Sequence, residues 1–181
     1  MKQTLDLWPS RTVINLVNPN PADYKIEDIA WGLSWEMRFA CHIPRFYSVA
    51  EHCVHAAEIG AALFEMGPLA RLLACRCLLH DAPEGVGWRD LPSPIKALIP
   101  EYKRYEKIHQ RAIYERFGLD RENDLLDAKV KAIDNHLYEL EHSELRLGVP
   151  LAGLELQFWS PEQARENFLE AFHKLFPEHV W

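Results

Sequence analysis

Residues 68–83 read Pro68-Leu-Ala-Arg-Leu-Leu-Ala-Cys-Arg-Cys-Leu-Leu-His-Asp-Ala-Pro83. Proline suits the first turn of a helix, where its missing N–H has no intrahelical role. From Leu69 to Leu79 the run is apolar nearly all round, which predicts a helix buried at the centre of a bundle. It ends on the ionisable pair His80-Asp81, and Ala82-Pro83 then takes the chain out of regular helix. A charged aspartate directly after a buried helix costs free energy unless it is paired or metal-bound. The same segment therefore points to the centre of an all-α fold and to a place where chemistry sits.

Helix signals continue on both sides. Ser48-Val-Ala-Glu51 has the form of a capping box and predicts a helix from Ser48 to about Met66, with His52 in its first turn. Upstream, Ile26, Ile29, Ala30 and Leu33 recur at helical spacing, and Glu27 and Asp28 place negative charge at the N-terminus of a helix over about Ile26 to Trp35. The β-branched run from Arg11 to Asn18, before an Asn-Pro-Asn-Pro turn, predicts a short strand or hairpin packed on the helical body. Downstream, Pro83, Gly85, Gly87, Pro92 and Pro94 predict a loop over Ala82 to Pro94. Pro100 opens a helix ending near Gly118, and another spans roughly Asn123 to Leu145. A last helix, about 160–176, begins at the capping box Ser160-Pro-Glu-Gln163. No repeat or glycine-serine linker divides the chain, so one domain, 1–181, is expected, with its core at about 24–145.

The chain has 181 residues, 48% apolar and 26% charged, with a formal net charge of −7. This is the composition of an ordinary globular protein. The negative charge and the lack of a lysine/arginine run argue against tracking a nucleic-acid polymer, while local cations can still hold a small anion. Asp6 and Pro9 interrupt the opening residues, which predicts neither signal peptide nor membrane span and hence a cytoplasmic protein. Cys41, Cys53, Cys75 and Cys77 lack C-x-x-C spacing and are assigned no function.

Four groups of metal-ligating type fall on helices that a bundle brings together: His52, His80, Asp81 and Asp134. Two imidazoles and two carboxylates suit a divalent ion in six-coordination with open water positions. They favour Mn, Fe, Co, Ni or Mg over a thiolate-bound structural zinc.

Phe46-Tyr-Ser-Val-Ala-Glu-His52, Leu78-Leu-His-Asp-Ala82, Asp90-Leu-Pro-Ser-Pro-Ile-Lys96 and Lys131-Ala-Ile-Asp134, in this order, resemble the motifs of the HD-domain metal-dependent phosphohydrolases. The 5'-deoxynucleotidase-like subgroup is the most similar. The resemblance covers about Arg11 to His142 and implies a single HD-domain helical bundle holding one divalent ion (Mn, Co, Fe, Ni, Mg or Zn) on His52, His80, Asp81 and Asp134. By position it implies that Glu84 handles protons around the attacking water and that Arg38 and Phe39 contact phosphate and sugar or base. Lys96 is a further phosphate contact. Asp90 is an active aspartate in some relatives. Phe39 stands where those relatives tend to carry tryptophan, and Gly85-Val-Gly-Trp-Arg89 is one residue longer than usual. The implied reaction is release of phosphate from a (deoxy)nucleoside 5'-monophosphate. The alternatives are cleavage of a deoxynucleoside triphosphate to nucleoside and triphosphate, and a non-catalytic metal- or nucleotide-binding module. Such relatives often pair through their helices, so a homodimer or other homo-oligomer is expected.

Other polar residues read as ordinary. His55 and His136 are expected as supporting or ordinary polar groups, although His55 could serve a second metal. Asp127 and Glu141 are expected as solvated or hydrogen-bonded helix charges. Arg45 is a reserve phosphate contact on a loop. Trp88 either stacks on a base or packs over the core, and Tyr102, Tyr105 and Tyr114 form a packing face.

Overall fold

The structure, a computed structural model, describes residues 3–63, 67–119, 123–150 and 153–177. It opens on the antiparallel hairpin β1 (Thr4–Asp6) and β2 (Val13–Asn15), with Leu5 opposite Ile14. Helices follow: α1 (Ile26–Trp35), α2 (Val49–Ala62), α3 (Pro68–Leu78), α4 (Ser93–Leu98), α5 (Pro100–Arg116), α6 (Asp124–Leu147) and α7 (Pro161–Leu175). The fold is mostly helical, as expected; the stretch expected as a strand or hairpin, Arg11 to Asn18, holds the single strand β2, and its partner β1 lies upstream of that stretch.

Local chemistry explains most helix starts. Ser48, Asn123 and Ser160 each accept a backbone N–H of the first turn, and Pro68, Pro94, Pro100 and Pro161 occupy first-turn positions. The capping box at Ser160 is complete, with Gln163 reaching back to the backbone. At Ser48 only half of the expected box forms. The Ser48 hydroxyl accepts from Glu51 N, but the Glu51 carboxylate instead accepts the backbone N–H groups of Gln157, Phe158 and Trp159. The segment entering α7 is thereby fastened to the start of α2.

The structured part of α2 ends at Ala62; the expected end at Met66 lies outside the described residues. The expected loop over Ala82 to Pro94 holds more structure than its prolines suggest. It contains a 3-10 turn at Ala82–Val86, and α4 begins at Ser93. Pro94 falls in the first turn of α4, where it does not break a helix.

The centre of the core is α3, as the apolar run predicts: Leu73, Ala74, Cys77 and Leu78 are fully buried, and α2, α6 and α7 pack around it. Helix α1 packs on α7, α2 and the Ala82–Val86 turn. Gly32 and Gly85 allow that last approach, because a Cβ at Gly32 would run into the Gly85 carbonyl and one at Gly85 into the Ile29 carbonyl. Helix α1 thus seats the turn that carries Glu84. Among the described residues, no helix is long and apolar enough to cross a membrane.

Candidate metal centre

Three elements deliver the candidate ligands. His52 lies in the first turn of α2, Asp134 lies in α6, and His80 and Asp81 follow the end of α3. At Leu79 and Asp81 the backbone leaves helical values, with ψ of 12° and 16°, so two neighbouring residues can face one point. His52, His80 and Asp81 each offer a ligand atom within one mutually close group that could hold a metal ion.

His52 Nε2 stands 3.3 Å from His80 Nε2 and 3.8 Å from Asp81 Oδ2, and His80 Nε2 is 3.2 Å from Asp81 Oδ2. Adjacent ligands of a six-coordinate ion stand about 3 Å apart and opposite ones about 4 Å, so these spacings suit ligation. Asp134 Oδ1 faces both imidazoles, 3.4 Å from His52 Nε2 and 3.7 Å from His80 Nε2. It is not in the mutually close trio, and its other oxygen accepts from Lys131 Nζ at 2.7 Å.

The second nitrogen of each imidazole fixes the chemistry of the first. His52 Nδ1 donates to Glu141 Oε1 at 2.7 Å, and His80 Nδ1 donates to the Cys77 carbonyl at 2.7 Å. Both acceptors lack protons, so in the neutral rings the hydrogen sits on Nδ1 and the Nε2 lone pairs turn inward on each other. This is the arrangement by which outer partners orient metal-binding histidines. With only protons to share, burial disfavours the charged His80, but Asp81 and Asp134 lift its pKa well above the usual value. The two carboxylates are depressed in turn: burial opposes their ionisation and the imidazoles outweigh it. A metal ion held by this group would take the place of those protons. The thiols do not compete, since burial pushes Cys53 and Cys75 up to about 11 and Cys77 up to about 12.

A cavity of about 960 Å³ opens on His80, Asp81 and Asp134. Its walls include Arg38, Phe39, Glu84, Asp90 and Lys96, the residues expected to act on protons or contact the substrate. Arg38 is buried and its Nη1 is 3.8 Å from Asp81 Oδ2. Glu84 is 5% exposed, and its Oε2 has no hydrogen-bond partner among the described residues. Burial, reinforced by Asp81 and Asp90, raises its pKa well above the usual value despite the pull of Lys96. Lys96 Nζ is held by Glu84 at 2.9 Å and Glu106 at 2.6 Å, so it serves Glu84 before any ligand. Asp90 is raised by burial, opposed by Arg38, and its backbone N–H donates to the buried Glu36 carboxylate at 3.2 Å.

Phe39 begins a run of three non-glycine residues in the left-handed region, with φ of 56° at Phe39, 49° at Ala40 and 64° at Cys41. Such backbone is costly and concentrates at functional sites. The turn brings the Phe39 ring against Tyr138, stacked at 5.6 Å, and Tyr138 also lines the cavity. Sequence reading passed over Tyr138, whose position on α6 one turn beyond Asp134 is the signal that could have found it.

The remaining candidates lie elsewhere. His55 stacks on Trp159 at 5.8 Å between Glu51 and Glu58, and His136 is exposed. Asp127 pairs with Arg76. The Arg45 guanidinium lies over the Phe158 ring at 3.6 Å. Trp88 packs against Tyr102, Tyr105 and His109, which is the packing alternative for that residue. Tyr114 lines a second cavity as well as packing beside Arg76. Glu141 is neither solvated nor exposed. It is fully buried and accepts from His52, Tyr47 and Arg38.

Fold and site together define a helical protein with a His-His-Asp group able to hold a metal ion. No family model matches the chain. It is 36% identical, over 86% of each chain, to "Uncharacterized protein YfdR" of Escherichia coli, and 31% identical, over 97% of each, to "Uncharacterized protein RCAP_rcc00048" of Rhodobacter capsulatus. The chain belongs to the family of these two proteins.

Proposed function

We propose that this chain is an HD-superfamily metal-dependent phosphohydrolase that releases phosphate from (deoxy)nucleoside 5'-monophosphates. The observation that carries the reading is the convergence of His52, His80, Asp81 and Asp134, with both Nε2 lone pairs turned inward, beside a cavity lined by Arg38 and the buried Glu84.

When bound, a divalent ion lowers the pKa of water toward neutrality and polarises a phosphoryl oxygen. The chain supplies the rest. Arg38 presents a planar guanidinium to phosphate oxygens beside Asp81. Glu84, whose carboxyl burial pushes up from its ordinary value, would give a proton to the departing 5'-oxygen, and Lys96 fixes its position. The Phe39–Tyr138 pair offers a flat apolar face to the nucleoside. At about 960 Å³ the cavity reaches the upper end of the roughly 300–1,000 Å³ usual for small-molecule sites.

A second cavity of about 630 Å³ shares His80, Asp81, Lys107 and Asp134 with the first and adds Arg111. That favours a second reading of the same centre, in which a deoxynucleoside triphosphate lies across the donors and triphosphate is released. Phosphate and triphosphate release should be measured on a panel of ribo- and deoxynucleoside mono- and triphosphates with Mn, Co, Ni, Mg and Zn. Orthophosphate from monophosphates, absent in Asp81→Ala, is the expected result. Triphosphate release would select the second reading, and release of neither from metal-loaded protein would overturn both.

A further inference from the structure

Glu141 lies two helical turns beyond Asp134, so α6 presents both carboxylates on one side. Its carboxylate is fully buried and its acceptor capacity is spent on four donors. Oε1 accepts from His52 Nδ1 at 2.7 Å and from the Tyr47 hydroxyl at 2.7 Å. Oε2 accepts from Arg38 Nε at 3.1 Å and lies 3.0 Å from Arg38 Nη2. One side chain thus touches a candidate metal ligand with one oxygen and the candidate phosphate contact with the other. Resting on the metal-centre reading above, we propose that Glu141 is a positioning residue that couples metal capture to anion binding.

The coupling follows from the geometry. With Oε1 in place, the His52 hydrogen stays on Nδ1 and the Nε2 lone pair stays available. With Oε2 in place, two guanidinium donors of Arg38 are occupied. The Nη1 edge is left facing Asp81 and the cavity. An amide at position 141 breaks one of these contacts and takes the negative charge from the other. An amide cannot accept on both of its ends, so either His52 or Arg38 meets an N–H instead of a lone pair. Arg38, buried without its counter-charge, then falls toward Asp81 and competes there with a metal ion. Metal affinity and anion affinity therefore both depend on one carboxylate.

Two binding constants test this without turnover: Mn²⁺ titrated into metal-stripped protein by calorimetry, and inorganic phosphate titrated into Mn²⁺-saturated protein. Glu141→Gln is expected to weaken Mn²⁺ binding by about 10–100-fold, the usual cost of losing an outer partner of a ligand. It is also expected to weaken phosphate binding by about tenfold. Arg38→Ala is expected to weaken phosphate alone. In the double variant the two phosphate losses should fail to add, because both act on one guanidinium. A Glu141→Gln protein that unfolds like the wild type and keeps either constant within about threefold would overturn the coupling. If Glu141→Gln does not fold, Glu141→Asp carries the test. It keeps the charge but withdraws the carboxylate, and it should weaken both constants by a smaller factor; a change in only one would overturn the proposal. Neither constant requires nucleotide hydrolysis. A protein that passes here yet releases no phosphate from nucleotides would refute the substrate reading and leave the coupling standing.

Discussion

Glu84 and His109 show how burial sets the chemistry of single residues in this chain. Glu84 sits under the cavity with one oxygen on Lys96 and the other without a partner among the described residues. Glu84→Gln keeps the shape and removes the titratable carboxyl. It is expected to lower kcat by about 10²–10⁴-fold while metal affinity stays unchanged. Steady-state kinetics beside a metal titration read this, and an unaltered kcat would remove Glu84 from the mechanism. His109 accepts from the Tyr24 hydroxyl on Nδ1 and donates from Nε2 to the Leu16 carbonyl, so it is buried neutral. Burial lowers its pKa below 6.5, against the Leu16 bond. In the window between that lowered value and 6.5 the unfolded chain binds more protons than the folded one. Stability should therefore fall as pH drops through this window, and urea unfolding at a series of pH values should show the slope flattened in His109→Gln. A slope equal to that of the wild type would contradict the assignment. The four candidate ligands were legible in the sequence because their residue types and motif order are local properties. The role of Glu141 was not. Its partners lie 89 to 103 residues away, and within its own helix it looks like any charge on a solvated face.

Helices α1 and α2 show that the same split between local and distant information holds for whole elements. Starts set by neighbouring residues, such as Ser48, Pro68 and Ser160, are readable from the sequence. The destination of the Glu51 carboxylate is not, because the backbone it receives is more than a hundred residues further on. That fully buried carboxylate takes three N–H groups, two of them from half-buried residues, so Glu51→Ala should destabilise the fold by about 3 kcal/mol or more in urea unfolding. A loss under about 1 kcal/mol would show that water replaces the contact without cost. Helix α4 was missed because prolines on either side of Ser93 read as loop, whereas one of them occupies a first turn. The α1 crossing makes a second prediction. Gly32→Ala places a methyl against the Gly85 carbonyl and must shift the turn carrying Glu84. Phosphate release should fall at least tenfold while Mn²⁺ binding, made by other elements, persists. Wild-type turnover in this variant would mean that the seating of the turn is irrelevant to catalysis.

Across the whole molecule, a net charge of −7 coexists with a local concentration of cations around the cavities. Arg38, Lys103, Lys107 and Lys131 line the first, and Lys107, Arg111 and Lys131 line the second. A small anion can be held by such local cations whatever the sign of the net charge. The bundle brings α2, the end of α3 and α6 together, and the candidate ligands face one another only because these three meet. The most direct test of the account is phosphate release from a deoxynucleoside 5'-monophosphate by chelator-stripped protein as Mn²⁺ is added back, with Asp81→Ala alongside. The account predicts no release from stripped protein, saturable recovery at one ion per chain, and none at any concentration in the variant. Undiminished release by stripped protein, or recovery in Asp81→Ala equal to that of the wild type, would contradict it.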